Sequence, residues 1–511
     1  MDDRHIVAID LGTSKIAITV AIVNGDDIQI IYYKEGESDG IRASAIFNPA
    51  RASKQIKKVI NEAEKVLGII IKEVVVCMPK YEVTVQNSEF PTIRTNAEEC
   101  ITAEEIAAIK KKAKEEYKLD DPEMKELFGV VAQSFSTEDE FMLIEKDIEG
   151  MIGGYLEANF KVFIGSAKDL KNIDVTFKNL GVRVAEKYFT PESTARAVLY
   201  DSEMDNGVAL IDFGAGATSV SVYKGNVMRH YASIPFGGNN ITWDIKTECN
   251  INNTLAENIK LGYGVCMPDR LQNLSEKVLR INSNNPAISS KDLEVKYLSE
   301  IITARVTEII EAMLYEIEQS GCADDLKSGI VVTGGCAEMA NCCNLIRSLS
   351  GLKVRIGQPK KIFSISGGNE IYSTKAACSV GMILRAKEDN SIDCVWTQDT
   401  EVLEKDLNTP LHNNTENEDF EEPEVRIIEE PEVPSTVEEV ETEVEETVEE
   451  TVEEPTTESN EESTENQTPK SPKKERPSFF KRHIINPISN SLKKGKENAE
   501  TIFKEMGDEQ A

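Results

Sequence analysis

The sequence predicts an α/β fold made of two related lobes. Apolar strand-like runs at 6–10, 74–78, 209–213 and 330–333 alternate with helical periods as far as about residue 387. A strand that ends in aspartate and leads into a glycine turn occurs twice, about 200 residues apart. Two copies of one pattern indicate two lobes of similar construction with a cleft between them.

The helical periods lie between the strands. Apolar residues recur at three- and four-residue intervals over 52–67, 298–320 and 340–349, which predicts helices there. Beyond about residue 388 the composition changes to Glu, Pro, Ser, Thr and Asn, and aromatic residues almost vanish. Such a segment cannot bury enough apolar surface to offset its chain entropy, so we expect a disordered acidic linker over 388–469.

Charge divides the chain more sharply than composition does. The 511 residues include 57 Lys and Arg against 90 Asp and Glu, a formal net charge of −33. The linker holds 30 of the acids and only two bases, whereas 470–511 holds 10 bases and six acids. This balance argues against nucleic acid as a partner, because phosphate binding needs a basic face.

Patterns that the sequence lacks predict the cellular compartment of the protein. The N-terminus has no basic and apolar signal-peptide pattern, and no run of 18 apolar residues occurs. Ten scattered cysteines form no CxxC pair. We therefore expect reduced, mostly buried thiols in a cytoplasmic protein, without a zinc site.

The first motif is the turn that follows strand 6–10. Asp10 ends the strand, Gly12 allows a tight turn, and Thr13, Ser14 and Lys15 lead into a second apolar strand at 16–23. Hydroxyls and backbone N–H groups at such a tip can hold phosphates, and the aspartate can hold Mg²⁺ through water. Alone, the pattern fits an ordinary hairpin equally well.

The second and third motifs make the interpretation of the first as a phosphate-binding turn more specific. Asp212, Gly214, Gly216 and Thr218 repeat the strand, aspartate and glycine-turn layout. Near 330–339 an apolar strand runs into Gly334 and Gly335, where the backbone can approach a flat ligand such as adenine. A nucleotide held in the cleft between two lobes accounts for all three.

In this order the motifs resemble the phosphate-1, phosphate-2 and adenosine motifs of the actin, Hsp70 and sugar-kinase ATPase superfamily. Segments 190–199 and 372–381 are similar to its two connecting helices. Within the superfamily the chain resembles the FtsA family of actin-like bacterial cell-division proteins over about 4–387, with distinctive similarity at 165–170, 230–238, 256–260 and 354–357. The resemblance implies an actin-like two-lobed ATPase fold of two ribonuclease H-like lobes.

The resemblance also implies a division into domains. Residues 1–84, 163–200 and 370–387 would form the first lobe, with an FtsA-type inserted subdomain at 85–162. Residues 201–369 would form the second lobe, including a small subdomain at about 239–312. The acidic linker at 388–469 would lead to a basic tail at 470–511 that holds a short amphipathic helix at 478–494.

The resemblance assigns ATP and Mg²⁺ as cofactors. Asp10 and Asp212 would flank the metal, and the remaining predicted contacts would hold phosphates, ribose and adenine: Gly12, Thr13, Ser14, Lys15, Gly214, Gly216, Thr218, Glu257, Lys260, Gly334, Gly335 and Met339. Glu192 aligns with an acidic residue of the first connecting helix and could orient an attacking water, although a carboxylate at a helix start is also stabilised by the helix dipole.

One departure from the family pattern concerns the second phosphate turn. Ala215 stands where a glycine is usual, and Ala217 where a hydroxyl is usual. Fewer phosphate contacts would follow, so we expect at most a weak ATPase. Binding through backbone N–H groups would survive both changes.

The tail reads as a basic amphipathic segment. Phe480, Ile484, Ile488 and Leu492 recur every four residues, and Pro487 would kink or break the helix. Apolar and basic side chains together predict contact with an anionic membrane surface: Phe479, Phe480, Ile484, Ile488, Leu492, Lys481, Arg482, Lys493 and Lys494. A basic disordered tail that binds a partner is the alternative.

The resemblance implies a cell-division adaptor. It would polymerise head to tail, tether FtsZ to the membrane, contact other divisome proteins, and lie peripherally on the cytoplasmic face of the membrane at the division septum. Alternatives on the same fold are a pilus-assembly-type ATP-binding protein, a metabolite kinase and an Hsp70-like chaperone. The kinase needs a catalytic aspartate that we cannot name, and the chaperone needs a β-rich domain that 388–511 cannot supply.

Overall fold

A computed structural model describes residues 3–271, 274–281, 291–366 and 369–396. The predicted linker lies almost wholly, and the predicted tail wholly, outside the described residues. Within the described ranges, no helix has both the length and the apolar character needed to cross a bilayer. The predicted α/β class is confirmed, because three main sheets are joined and covered by helices.

The first sheet has six strands in the order β11-β7-β1-β2-β3-β19. Its three central neighbours β1, β2 and β3 pair antiparallel, whereas β7 and β11 run parallel to β1. The strands are β1 (Arg4–Leu11), β2 (Lys15–Asn24), β3 (Asp27–Glu37), β7 (Glu73–Cys77), β11 (Arg183–Tyr188) and β19 (Ser364–Ile365).

Helices cover both faces of this sheet. Ile16 pairs with Gly36, which lies against Val59 of helix α1 (Pro49–Leu67). Thr19, on the opposite face, donates a hydrogen bond to Ser379 of helix α11 (Ala377–Ala386) at 2.9 Å. Because neighbouring strand residues alternate faces, α1 and α11 lie on opposite sides. Helix α4 (Ala167–Lys178) packs beside α1, and α5 (Thr190–Val198) beside α11.

Helix α1 shows why these helices form where they do. Asn48 caps its N-terminus by accepting from the Arg51 N–H at 3.1 Å, and Pro49 occupies the first turn, where no donor is needed. Gly68 ends the helix in the left-handed conformation at φ 69°.

The second sheet has five strands in the order β14-β13-β12-β17-β18. It repeats the antiparallel β12, β13, β14 arrangement of the first sheet and adds parallel β17 and β18. The strands are β12 (Val208–Phe213), β13 (Thr218–Lys224), β14 (Val227–Ile234), β17 (Ile330–Thr333) and β18 (Val354–Ile356), with helices α9 (Val295–Gln319) and α10 (Cys342–Ser350) packed nearby.

A third sheet of three antiparallel strands in the order β8-β10-β9 spans the segment predicted as an insertion at 85–162 and extends past both of its ends. Its strands are β8 (Thr84–Ile93), β9 (Lys125–Ser136) and β10 (Tyr155–Ser166), with helices α2 (Ala103–Glu116) and α3 (Glu145–Ile148). Three apolar cores contain the fully buried Phe177, Phe213 and Phe135, and the core around the first sheet also includes Leu210 and Val331 of the second sheet. Burying one such side chain contributes roughly 1.5–3 kcal/mol.

The remaining elements are short strands and surface helices. They are β4 (Ile41–Arg42), β5 (Ala45–Ile46), β6 (Ile70–Ile71), β15 (Val278–Ile281), β16 (Lys291–Glu294), β20 (Val395–Trp396), α6 (Asp201–Asn206), α7 (Gly238–Cys249) and α8 (Asn253–Tyr263).

The chain crosses between the first two sheets twice, and the two crossings are hydrogen-bonded to each other. The Lys360 N–H donates to the Ala197 carbonyl, and its ammonium donates to the Leu199 carbonyl, each at 2.8 Å. Gly381 of α11 lies directly against the backbone of Ser193 in α5. The two crossings and their helices therefore form one packed unit.

The four predicted strands and helix 52–67 coincide with observed elements. Helix 340–349 begins later than predicted, at Cys342, because Asn341 adopts a left-handed φ of 62° just before it. The predicted second connecting helix likewise begins only at Ala377, after a short 3₁₀ turn at Thr374–Ala376.

Candidate functional site

Two glycine turns, one from each of the first two sheets, lie against each other. The β1–β2 turn holds Gly12, Thr13 and Ser14, and the β12–β13 turn holds Gly214 and Gly216. A Cβ added to Gly216 would lie 2.5 Å from Thr13 Oγ1, so the turns touch at a point where only a glycine fits. The structure thus brings the two predicted phosphate turns together.

The two predicted metal-binding carboxylates lie next to these turns. Asp10 is the second-last residue of β1 and Asp212 the second-last residue of β12. Burial raises the pKa of Asp10, and the negative charge of Asp212 raises it further. The ammonium groups of Lys15 and Lys80 act in the opposite direction. Two carboxylates and two ammonium groups therefore share one partly buried space.

Lys80 belongs to this site, although the sequence motifs did not point to it. Its ammonium lies 2.7 Å from Asp212 Oδ2 and donates to the Asp212 carbonyl at 3.3 Å. Its backbone is held as well, because its N–H donates to Ser44 Oγ at 3.1 Å and its carbonyl accepts from the Tyr231 hydroxyl. Lys80 follows β7, the parallel neighbour of β1. Residues just beyond the carboxyl ends of adjacent parallel strands often form sites, and that was the available signal.

Lys15 is held away from the turn tip. Its ammonium forms an ion pair with Glu35 Oε1 at 2.6 Å and donates to the Lys375 carbonyl at 3.1 Å. Burial acts to raise the pKa of Glu35, but the charge and hydrogen bonds of Lys15 and Tyr33 outweigh it and lower that pKa. A phosphate contact by Lys15 would therefore compete with an existing ion pair.

The hydroxyls of the turns differ in availability. Ser14 is exposed, and Thr13 Oγ1 accepts from the Ser44 N–H at 3.1 Å, which leaves its own hydrogen free to donate elsewhere. Thr218 is buried and donates to the Phe236 carbonyl at 2.8 Å. Thr218 thus anchors the second turn to the segment before α7 instead of presenting its hydroxyl to the cleft.

The buried Lys260 and the half-exposed Glu257 form a polar cluster beside the second turn. The Lys260 ammonium contacts Glu257 Oε2 at 2.8 Å, Thr242 Oγ1 at 2.8 Å and the Gly238 carbonyl at 3.0 Å. The Gly238 N–H in turn donates to the Gly214 carbonyl at 3.0 Å. A chain of contacts therefore links the predicted ribose-side residues to the second turn.

The third motif closes the cleft beside Asp212. Gly334 adopts φ 87°, and a Cβ there would lie 2.7 Å from Asp212 Oδ1, so both conformation and space require glycine. Gly335 is exposed, and the Met339 sulfur lies 3.5 Å from Cys266 Sγ. Burial raises the pKa of Cys336 to about 12, so this neighbour is a neutral thiol.

Glu192 pairs with the second connecting helix. It lies in the first turn of α5 and forms an ion pair with Arg385 Nη1 of α11 at 2.8 Å. Its described partner belongs to the helix pair that joins the crossings, which supports the structural alternative. Its role in orienting water stays a prediction.

The described residues contain no cluster of three or more His, Cys, Asp and Glu side chains suited to a metal ion. Asp10 and Asp212 would therefore hold a cation only together with water or a ligand's own oxygens. The predicted membrane residues, from Phe479 to Lys494, lie outside the described part of the chain.

Comparison with known proteins finds relatives of this chain over about three quarters of its length. A family model described as cell division protein FtsA matches residues 209–381. The cell division protein FtsA of Borreliella burgdorferi is 30% identical over 394 residues, which span 77% of this chain and 93% of that protein. The FtsA of Neisseria meningitidis is 27% identical over 385 residues, which span 74% of this chain and 89% of that protein.

Among solved structures, the chain is similar to one described as the PilM-PilN type IV pilus biogenesis complex. The TM-score is 0.52 at 14% sequence identity, over 75% of this chain and 98% of that chain. At this identity the likeness concerns the fold alone. The predicted two-lobed actin-like fold is confirmed.

Proposed function

The chain belongs to the FtsA family of cell-division proteins, and from that premise we propose that it binds ATP with Mg²⁺, assembles into actin-like filaments and anchors FtsZ to the membrane. The proposal of nucleotide binding rests on one observation: two glycine turns meet beside Asp10 and Asp212. Successive backbone N–H groups in glycine turns of this kind can hold a phosphate chain.

The residues present suit a magnesium-bound triphosphate. Two carboxylates can hold the water shell of a hard cation, and the Lys80 ammonium can accompany the phosphates. Bound Mg²⁺ would supply charge neutralisation for the phosphate oxygens. Gly12, Thr13, Ser14, Gly214 and Gly216 would surround the phosphates.

The adenosine end would lie on the far side of the second turn. Glu257 and Lys260 would face the ribose, and Gly334, Gly335 and Met339 the adenine. Thr218 would act by positioning the turn, since its hydroxyl is already bonded, and Lys15 would have to leave Glu35 to reach a phosphate.

Hydrolysis is proposed to be weak. Phosphoryl transfer depends on a positioned water and on donors around the phosphates. The only predicted candidate for water positioning, Glu192, is paired with Arg385, and Ala217 offers no hydroxyl in the second turn. The nucleotide would then serve assembly more than turnover.

Two of the proposed activities are assigned to predicted domains. The lobes at 1–84 with 163–200 and 370–387, and at 201–369, would bind nucleotide. The chain would assemble head to tail with further copies, and the small subdomain at about 239–312 would bind FtsZ. The protein would lie on the cytoplasmic face at the division septum, with other divisome proteins as further partners.

Nucleotide binding is tested by titrating the full chain with ATP, with and without Mg²⁺, by calorimetry. We expect Asp212→Asn to remove the magnesium-dependent part of the affinity. Asp205→Asn is the matched control, because Asp205 is an exposed carboxylate on α6 away from the turns. Equal affinity in both variants would refute the assigned site.

Anchoring is tested by co-sedimentation with vesicles that contain anionic lipid. The full chain should carry FtsZ into the pellet, and Phe480→Glu should leave both proteins in the supernatant. If Phe480→Glu sediments like the unmodified chain, the amphipathic segment is not the anchor.

A further inference from the structure

Helices α1 and α4 form one layer over the six-stranded sheet. The Ser53 hydroxyl of α1 donates to the Thr176 carbonyl of α4 at 3.0 Å, and both residues are buried. The buried residues of α1 share one side, so its opposite side faces solvent. The same holds for α4, whose buried residues Ile173, Thr176 and Phe177 lie on one side.

The solvent sides of both helices carry lysines. Lys54, Lys58 and Lys65 are spaced by four and seven residues along α1, and Lys171 and Lys178 by seven along α4. These intervals keep side chains on one side of a helix. All five are exposed, and none forms an ion pair with any residue that the structure describes. We call these five residues the lysine face.

Acidic side chains on the same helices are engaged elsewhere. Glu62 pairs with Lys34 at 3.1 Å, and Asp174 pairs with Lys187 at 2.7 Å. Glu64 accepts from the Ile71 N–H at 2.8 Å. These three acids therefore do not pair with the lysine face. A fourth acid, Asp39, pairs with Arg51 at 2.8 Å; the Arg51 hydrogen bond lowers the pKa of Asp39, and the nearby charge of Lys54 adds to this.

Exposed aliphatic side chains accompany the lysines. Val175 lies between Lys171 and Lys178 and is 38% exposed, and Val66, next to Lys65, is 63% exposed. Ile70, just beyond α1, is 49% exposed. Cations mixed with aliphatic groups over a broad surface fit an anionic lipid interface, where headgroups and acyl chains are both within reach.

The end of the described chain lies at this surface. Strand β20 pairs with β6, which follows shortly after α1, and the Lys72 ammonium lies 4.9 Å from the centre of the Trp396 ring. The segment that leads to the predicted amphipathic tail therefore departs beside the C-terminal end of α1.

We propose that the lysine face contacts the anionic membrane directly, as a second, electrostatic contact besides the tail. This inference rests on the proposed function, since the tail brings the core to the membrane. The face sets which side of the first lobe is turned toward the lipid. Each lysine near an anionic surface adds to binding, and the contribution is screened by salt.

The test is co-sedimentation of the full chain with vesicles of phosphatidylglycerol and phosphatidylcholine, over a range of salt concentrations. The face variant is Lys58→Glu, Lys65→Glu and Lys171→Glu. The control variant is Lys112→Glu, Lys114→Glu and Lys118→Glu, which changes net charge equally at exposed lysines on and after α2. Lys65 and Lys114 both lie in the last turn of a helix, so the two variants also match in helix-dipole effects.

We expect the face variant to bind at least tenfold more weakly than the control variant, with a shallower salt dependence, and an arginine version of the three sites to bind like the unmodified chain. Equal binding by the face and control variants would overturn the proposal. Phe480→Glu tests the tail separately: unchanged binding there refutes the anchor, whatever the face variant does. Equal loss on vesicles of phosphatidylcholine alone would also overturn the proposal, because no anionic lipid is then involved.

Discussion

Gly216→Ala is the sharpest single perturbation of the candidate site. The backbone at Gly216 does not require glycine, because its φ is not in the left-handed region. The available space does require glycine, because the new Cβ would lie 2.5 Å from Oγ1, 2.7 Å from Cγ2 and 2.9 Å from Cβ of Thr13. Ordinary contacts begin near 3.4 Å. The turns must therefore separate by somewhat under 1 Å.

The separation has a calculable effect on ligand affinity. A phosphate chain held by both turns would lose about one hydrogen bond to a charged group, worth about 1.5–3 kcal/mol. Every 1.4 kcal/mol is tenfold, so ATP should bind roughly ten- to a hundredfold more weakly. The fold should be little affected, because both turns lie at the cleft surface.

The assay is calorimetric titration of the full chain with ATP and Mg²⁺, beside thermal unfolding. Gly262→Ala is the control, since an added Cβ there meets nothing within 4 Å. Thr13→Gly removes all three clashing atoms, so the double variant should bind more tightly than the two single losses together predict. Wild-type affinity in Gly216→Ala, or strict additivity in the double variant, would refute the reasoning.

Three further outcomes follow from contacts already described. Gly381→Ala places a Cβ onto the Ser193 carbonyl and should destabilise the fold by about 1–3 kcal/mol, seen as a lower unfolding temperature. Lys80→Met should weaken ATP binding at least tenfold at fixed Mg²⁺, with partial recovery at higher Mg²⁺, in calorimetric titrations. Arg355→Met should reduce stability at neutral pH and flatten its fall in acid, measured by denaturant unfolding, because Glu203 then loses its partner.

The sign of the pH effect comes from the pKa of Glu203. Burial acts to raise it, but hydrogen bonds from Arg355 and the Tyr200 N–H outweigh burial and hold the pKa below the ordinary 4.5. A lowered pKa stabilises the folded state above about pH 4.5, and that stabilisation is lost as pH falls through the folded-state pKa. An acid-side stability profile that is identical in Arg355→Met would contradict the assignment.

The Gly381→Ala and Lys80→Met predictions each have a control variant. Gly262→Ala should not lower the unfolding temperature, because Gly262 is an exposed helical glycine with no neighbour near its Cβ site. Lys187→Met removes a different lysine–aspartate pair and should leave ATP affinity unchanged. If either control behaves like its test variant, the effect is not specific to the contact.

The sequence predicted those parts of the site that are local. Asp10 with Gly12, and Asp212 with Gly214, stand within a strand and its turn, so strand periodicity and turn chemistry place them. Lys80 could not be paired in the same way, because its partner Asp212 lies 132 positions away and only the folded sheets bring them together. Thr218 shows a second limit. The sequence alone does not tell which group a hydroxyl in a motif donates to, because that depends on the folded neighbours.

The lobe arrangement was predictable because the strand, aspartate and glycine pattern occurs twice. The helix at 340–349 was misplaced by two residues, since a left-handed asparagine leaves no periodic signal. The exposed lysines of α1 and α4 were visible as residues but not as one surface. Their neighbourhood depends on the contact between Ser53 and Thr176, over 123 positions.

The paired chain crossings constrain how force passes through the molecule. Lys360 ties the returning crossing to the outgoing one at two carbonyls, and Gly381 holds the adjoining helices in backbone contact. Two crossings bonded side by side resist sliding and bend together, so they define one axis of rotation. In the proposed filament, a pull exerted on one lobe by a neighbouring copy would therefore act to open or close the two lobes, and would couple tension along the filament to the affinity for the proposed nucleotide.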